Sequence, residues 1–120
     1  MMISAGLDEH ESDIVLGILS DKYCRKILNA IIDEPKSAFE ISYESDILLS
    51  TVYRKLKTLQ SHKLLNTKCQ LRDDGKKLFL YKSKIRSISA RLDRDVLDVA
   101  VVPNSPLTYI ARTQDGTAGI

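Results

Sequence analysis

The chain reads as an α+β domain, mainly helical, on three observations. Up to about His62 the apolar residues recur three and four positions apart; beyond Asn66 they tend to alternate; and Pro35, Glu44-Ser45-Asp46 and Asp73-Asp74-Gly75 punctuate the sequence between periodic segments. With 120 residues, 43% of them apolar and 28% charged, the chain fits one domain with one modest core and has the composition of a soluble globular protein. Its longest apolar runs fall far below the roughly 18 to 20 residues that a membrane span needs. There are no internal repeats and no low-complexity tract.

Residues 1–12 are polar and are expected to form a flexible N-terminus. From Asp13, the apolar positions Ile14, Val15, Ile18 and Leu19 predict a short helix over 13–19. Ser20-Asp21 supply an N-cap and a first-turn acid for a second helix over about 21–33. That helix places Tyr23, Cys24, Ile27, Leu28, Ile31 and Ile32 on one face and Lys22, Arg25, Lys26 and Asn29 on the other, the pattern of a central core helix. Pro35 stops it, because proline lacks an N–H and forces the preceding residue out of helical geometry. Ser37 and Glu40 stand at capping-box spacing, and Ala38, Ile41 and Ser42 follow as a third helix of about two turns.

A fourth helix starts at Leu48 or Ser50 and runs to about His62, with Val52, Leu56 and Leu59 facing inward, Thr51, Arg54, Lys55 and Thr58 elsewhere on its circumference, and Tyr53 and Lys57 flanking the apolar stripe. A short helix, a brief turn and a second helix with a narrow apolar stripe and a basic outer face form the pattern of a helix-turn-helix. Segments 67–72 and 77–83 read as strands around Asp73-Asp74-Gly75-Lys76, where glycine is able to take positive φ. This hairpin, tipped with Arg72, Lys76 and Lys77, has the position of a wing. Residues 85–102 carry two readings: Ile85, Ile88, Leu92, Val96 and Val99 have helical spacing, whereas Ile88, Ala90 and Leu92, then Asp93-Arg94-Asp95, then Leu97, Val99 and Val101 describe a second hairpin. The Val, Ile and Ser content and the charged centre favour strands. The segment 103–120 lacks periodicity and is expected to be a flexible tail.

Charge is distributed unevenly. Twelve of the eighteen Lys and Arg residues lie between Ser50 and Arg91, where the acids are Asp73 and Asp74 alone, so the formal net charge of +2 conceals a strongly cationic segment and an acidic remainder. Concentrating cations costs self-repulsion, and a common compensation is attraction of a polyanion, nucleic acid first among them. The plainer reading is a solvated basic face. Asp8, Glu9, Glu11 and Asp13 stand where a secretory signal would carry positive charge, so export is not expected. Cys24 and Cys69 lie far apart and share no CxxC-type spacing, which fits free thiols in a reducing, cytoplasmic setting; a disulfide between them stays open.

The run Ile18-Leu19-Ser20-Asp21 leading into Arg25-Lys26-Ile27-Leu28, followed by Ser50-Thr51-Val52-Tyr53-Arg54-Lys55-Leu56-Lys57-Thr58-Leu59, Leu64-Leu65 and a basic hairpin, resembles the ArsR-like winged helix-turn-helix regulators, particularly the small archaeal type. The likeness spans roughly residues 14–84. It implies sequence-specific binding of double-stranded DNA at promoters, commonly as a homodimer, with the recognition helix in the major groove and the wing towards the minor groove. Three departures accompany it. Phe39-Glu40-Ile41-Ser42-Tyr43 occupy the stretch where metal-sensing relatives carry a cysteine pair, so metal sensing is not implied. Asp46 stands in the inter-helix turn where many relatives place glycine, and Leu48 stands where a hydroxyl residue would cap the recognition helix.

The expected DNA-binding residues are Ser50, Thr51, Tyr53, Arg54, Lys55, Lys57, Arg72, Lys76 and Lys77. A guanidinium at Arg54 has the geometry to pair both major-groove acceptors of guanine, or to bind phosphate, the destination of most protein–DNA hydrogen bonds. Thr51 and Tyr53 near the helix start suit a phosphate or a thymine methyl; equally, Thr51 reads as an ordinary first-turn residue and Tyr53 as an aromatic packed on the preceding helix. Ser50 also reads as a helix cap. Lys55, Lys57 and the wing cations Arg72, Lys76 and Lys77 suit phosphates. No catalytic role, cofactor or metal is expected: His10 and His62 lack matched partners, His10, Cys24, His62 and Cys69 share no ligand spacing, and Asp73-Asp74 reads as turn chemistry. Homodimerisation is expected because one recognition helix reads few bases, and because 13–19 and 85–102 carry apolar surface beyond what a small core uses. The rival expectation is a winged helix serving as a protein–protein adaptor in a transcription or repair assembly.

Overall fold

The computed structural model describes residues 7–104, which form four helices followed by two antiparallel hairpins. The helices are α1 (Glu9–Ser20), α2 (Lys22–Ala30), α3 (Ala38–Ser45) and α4 (Leu49–Ser61); the strands are β1 (Leu65–Leu71), β2 (Lys77–Ser83), β3 (Ile85–Asp93) and β4 (Val96–Pro103). The architecture is a winged helix with an additional C-terminal hairpin, and the hairpin reading of 85–102 holds over the helical one.

Helix α1 starts at Glu9, so part of the stretch expected to be flexible is helical. The cause is a capping box: the Asp8 carboxylate accepts from the Glu11 amide at 2.7 Å while the Glu11 carboxylate accepts from the Asp8 amide at 3.0 Å. Ser12 is buried on the same helix, which fixes this end against the rest of the molecule. Helix α2 is shorter than the expected 21–33. Asp21 caps it by accepting from the amides of Tyr23 and Cys24, and it ends at Ala30, with Ile31 leaving helical geometry. Ile31 is nevertheless fully buried; its apolar character serves the core from a non-helical backbone. Helix α3 has the Ser37/Glu40 capping box and ends in Asp46 in the left-handed region at φ 56°. A short polar side chain tolerates that conformation better than most residues do.

The core lies between α2, α3 and α4. Ile27, Ile31, Ile41, Val52, Leu56 and Leu59 are all less than 2% exposed or at that limit, and Leu65 at the start of β1 closes the cluster. Burying each aliphatic side chain of this size contributes roughly 1.5–3 kcal/mol. Helix α4 ends in two crossing hydrogen bonds, Lys63 N–H to the Gln60 carbonyl at 2.9 Å and Leu64 N–H to the Leu59 carbonyl at 3.0 Å, with Lys63 at φ 61°. This Schellman arrangement turns the chain sharply from the helix into the wing.

The two hairpins form separate two-stranded sheets. The β1–β2 wing is tied at its base: Lys36 and Tyr81 exchange backbone hydrogen bonds of 3.0 and 2.8 Å, and the Ser83 amide donates to the Ile31 carbonyl at 3.0 Å. The β3–β4 ribbon is tied by Asn104, whose side-chain amide donates to the carbonyls of Ile32 at 2.7 Å and Ser83 at 3.0 Å, and whose main-chain amide donates to the Lys84 carbonyl. Pro103 lies in β4 and Asn104 is buried, so the flexible tail expected from 103 does not begin there; its continuation from 105 lies outside the described residues. Cys24 is a buried free thiol and Cys69 an exposed one. Among the described residues no helix is long and apolar enough to cross a membrane.

Candidate nucleic-acid interface

Helix α4 sorts its side chains by the 3.6-residue period. Val52, Leu56 and Leu59 are buried at 0%, 2% and 0% exposure, and this inward stripe leaves Ser50, Arg54 and Lys57 exposed on the outer side. Thr58 and Ser61 share that outer side, although the sequence reading assigned neither a binding role; their hydroxyls donate to the carbonyls of Arg54 and Thr58 at 3.3 and 2.7 Å and keep their lone pairs outward. Thr51 is half-buried. The helix carries no acid in its first turn, and its N-cap residue, Leu48, makes no side-chain capping hydrogen bond. Helix initiation at Leu49 therefore leaves first-turn amides without a side-chain acceptor.

Tyr53 is exposed on a flank of α4, and Tyr81 lies near it on the wing. Burial, with Tyr53 acting in the same direction, pushes the Tyr81 phenol up from its ordinary value, so it remains a neutral hydroxyl. Gln60 reaches across from α4 and donates to the Thr67 hydroxyl of β1 at 3.1 Å. The wing is thus fixed against the same helix that presents Arg54.

Lys55 departs from the expectation of a phosphate contact. It turns back towards α2 and forms an ion pair with Asp21, a carboxylate that also caps α2. The hydrogen bond from Lys55 is the largest cause holding the Asp21 carboxyl below its usual value, assisted by the amides of Cys24 and Tyr23 and opposed by partial burial. The pair joins α4 to α2, and its position follows from Lys55 lying on the flank of α4 that faces α2. Cys24, close to this pair, is pushed up by burial first and by Asp21 second, so its thiol stays protonated.

On the wing, Arg72, Lys76 and Lys77 are exposed around the turn. Asp74 accepts from the Lys76 amide at 3.0 Å and lies 3.6 Å from Arg72, and Gly75 sits at φ 84°, so Asp74 is engaged in building the turn. Lys68 is also exposed, on the wing face that Leu78 and Leu80 share. Reading the turn alone missed it; alternation along β1 would have placed it. Among the described residues no three of His, Cys, Asp and Glu converge on a metal-sized site.

No protein-family model matches the chain, and no curated protein does. Among solved structures, the chain is similar to NolR from Sinorhizobium fredii, over 64% of this chain and 78% of that one, at 22% identity and a TM-score of 0.49.

Proposed function

We propose that this chain is a transcriptional regulator that binds double-stranded DNA sequence-specifically, of the ArsR-like winged helix-turn-helix type, acting as a homodimer in the cytoplasm and without catalytic activity. Helix α4 enters the major groove, Arg54 reads a base edge or grips the backbone, and Ser50, Thr51, Tyr53 and Lys57 contact its surroundings. Arg72, Lys76 and Lys77 carry the wing onto the backbone or into the minor groove. The observation that supports this reading most strongly is the acid-free outer side of α4 beside a cationic hairpin pinned to it by Gln60 and Thr67. Such a surface attracts a polyanion along two adjacent elements, which is the footprint of a duplex. Lys55 acts on binding indirectly, by holding α4 against α2 through Asp21.

One observation favours a second reading, the protein–protein adaptor. Phe39 and Tyr43, one helical turn apart on α3, are 70% and 86% exposed. Exposed aromatics at that spacing suit a protein partner. Titration of genomic duplex fragments by gel shift across a salt series separates the two. The regulator binds with affinity that falls steeply with salt, and Arg54→Ala weakens the preferred site by about 1–3 kcal/mol while reducing preference between sites. Failure to bind duplex at low salt leaves the adaptor reading.

A further inference from the structure

Every residue from Asn66 to Lys77 is exposed, so the wing beyond its base stands clear of the helices. Two large apolar side chains nevertheless lie in its outer half, Phe79 at 47% and Leu71 at 75% exposure. The register fixes their direction. Thr67 stands across from Tyr81, Cys69 from Phe79 and Leu71 from Lys77, and directly opposed residues share a face, so Phe79 and Leu71 lie on the face of Thr67 and Tyr81. That is the face reached by Gln60 of α4, and Tyr81 on it lies near Tyr53. A line of rings and aliphatic carbon therefore runs from the flank of α4 through Tyr81 to Phe79 and Leu71. At about 3.3 Å per residue, Phe79 stands about 7 Å and Leu71 about 13 Å beyond the row tied to α4. Cations surround the end of this line: Lys77 is opposite Leu71, Arg72 follows it, and Lys76 is in the turn, all exposed.

We propose that Phe79 and Leu71 form an apolar wedge that enters the minor groove of a DNA duplex, parts neighbouring base pairs and kinks the DNA seated on α4. The proposal rests on the DNA reading above and adds that the wing deforms the duplex as well as holding it. Charge complementarity selects the partner: exposed Arg72, Lys76 and Lys77 draw phosphate strands to the sides of the wedge, leaving its apolar centre against the bases. Reach selects the groove. A tip about 13 Å beyond a helix that lies in a groove about 12 Å wide passes the bordering phosphate strand and meets the next groove. The minor groove is about 6 Å wide, too narrow for a helix but open to single side chains. Phenylalanine and leucine are among the side chains that slip between base steps there, and doing so buries carbon that the hairpin leaves in water. A wedge of this kind also selects sequence without a polar contact. Pyrimidine–purine steps unstack at least cost, so the kink falls on them, at positions that Arg54 does not touch.

The test uses the full-length chain and duplexes of about 30 base pairs that the wild type selects from a random pool. Each duplex carries a dye at either end for energy transfer and 2-aminopurine at one step after another. Wild-type binding is expected to bring the ends together through a bend of about 20–90° and to brighten 2-aminopurine at the step the wedge enters. Phe79→Ala and Leu71→Ala alter exposed side chains and leave the fold intact, which circular dichroism checks. Each is expected to reduce both signals and to lower the preference for a pyrimidine–purine step at the kink roughly tenfold. The salt slope stays unchanged, because no cation is lost. Val96→Ala, at an exposed apolar site on the other hairpin, keeps the bend. Salt-dependent binding to a duplex that stays straight and stacked overturns the wedge and leaves the DNA reading standing. So does a bend undiminished in the chain carrying both Phe79→Ala and Leu71→Ala. A wild type that binds no duplex at low salt removes the DNA reading and the wedge with it.

Discussion

The two hairpins share antiparallel pairing but differ in strand length, seven residues each in the wing against nine and eight in the ribbon, and one is cationic while the other has an aliphatic face. In the wing, Lys68 lies across from Leu80 and Leu71 from Lys77, so charge reaches both faces. In the ribbon beyond Ser87, Arg91, Asp93 and Asp98 lie on one face, and Ile88, Ala90, Leu92, Leu97, Val99 and Val101 make the other apolar. Their turns differ as well. The wing places Gly75 at its positive φ, whereas the ribbon places Arg94 and Asp95 at φ 51° and 70°, a two-residue turn that glycine and asparagine favour. Two antiparallel hairpins thus carry two kinds of surface, and the period-two alternation of side chains decides which.

The largest effect expected from this contrast concerns binding. Replacing Arg72, Lys76 and Lys77 together with Ala is expected to flatten the salt slope of duplex binding by about two to three units. Replacing Arg91 and Arg94 on the ribbon should change it by less than about one. Equal losses from both sets would erase the distinction between the hairpins. A smaller effect concerns their attachment. Asn104→Ala removes the donor shared by the Ile32 and Ser83 carbonyls and is expected to cost about 2–3 kcal/mol in urea unfolding. Amide exchange should then accelerate in β3 and β4 before β1 and β2. The smallest effect lies in the turns, where Asp95→Gly should stabilise by about 0.5–1 kcal/mol and Gly75→Ala should destabilise by about 1 kcal/mol. Thermal melts of the two variants sharpen the comparison if they shift in opposite directions.

Much of this arrangement was legible in the sequence because it depends on local periodicity. The spacing of Val52, Leu56 and Leu59 predicted the buried stripe of α4, the Ser37/Glu40 pair predicted the start of α3, and Asp46 and Gly75 marked two of the five described backbone positions at positive φ. The start of α1 was misplaced although its signal was present, since Asp8 and Glu11 have the same three-residue offset as Ser37 and Glu40. Polarity of the surrounding residues obscured it. Lys55 was placed among the outward cations because nothing in the sequence brings Asp21, 34 positions earlier, to its side; packing of α2 on α4 does. Asn104 escaped for the same reason, its partners Ile32 and Ser83 being distant in sequence. Long-range polar ties of this kind leave no periodic trace.

The exchange of main-chain hydrogen bonds between Lys36 and Tyr81 makes a calliper of the molecule. One jaw is the helix pair that follows Ser37, the other is the wing, and the gap between them is set by peptide groups that no replacement short of proline removes. Surface substitutions along either jaw alter what is gripped while the opening stays constant.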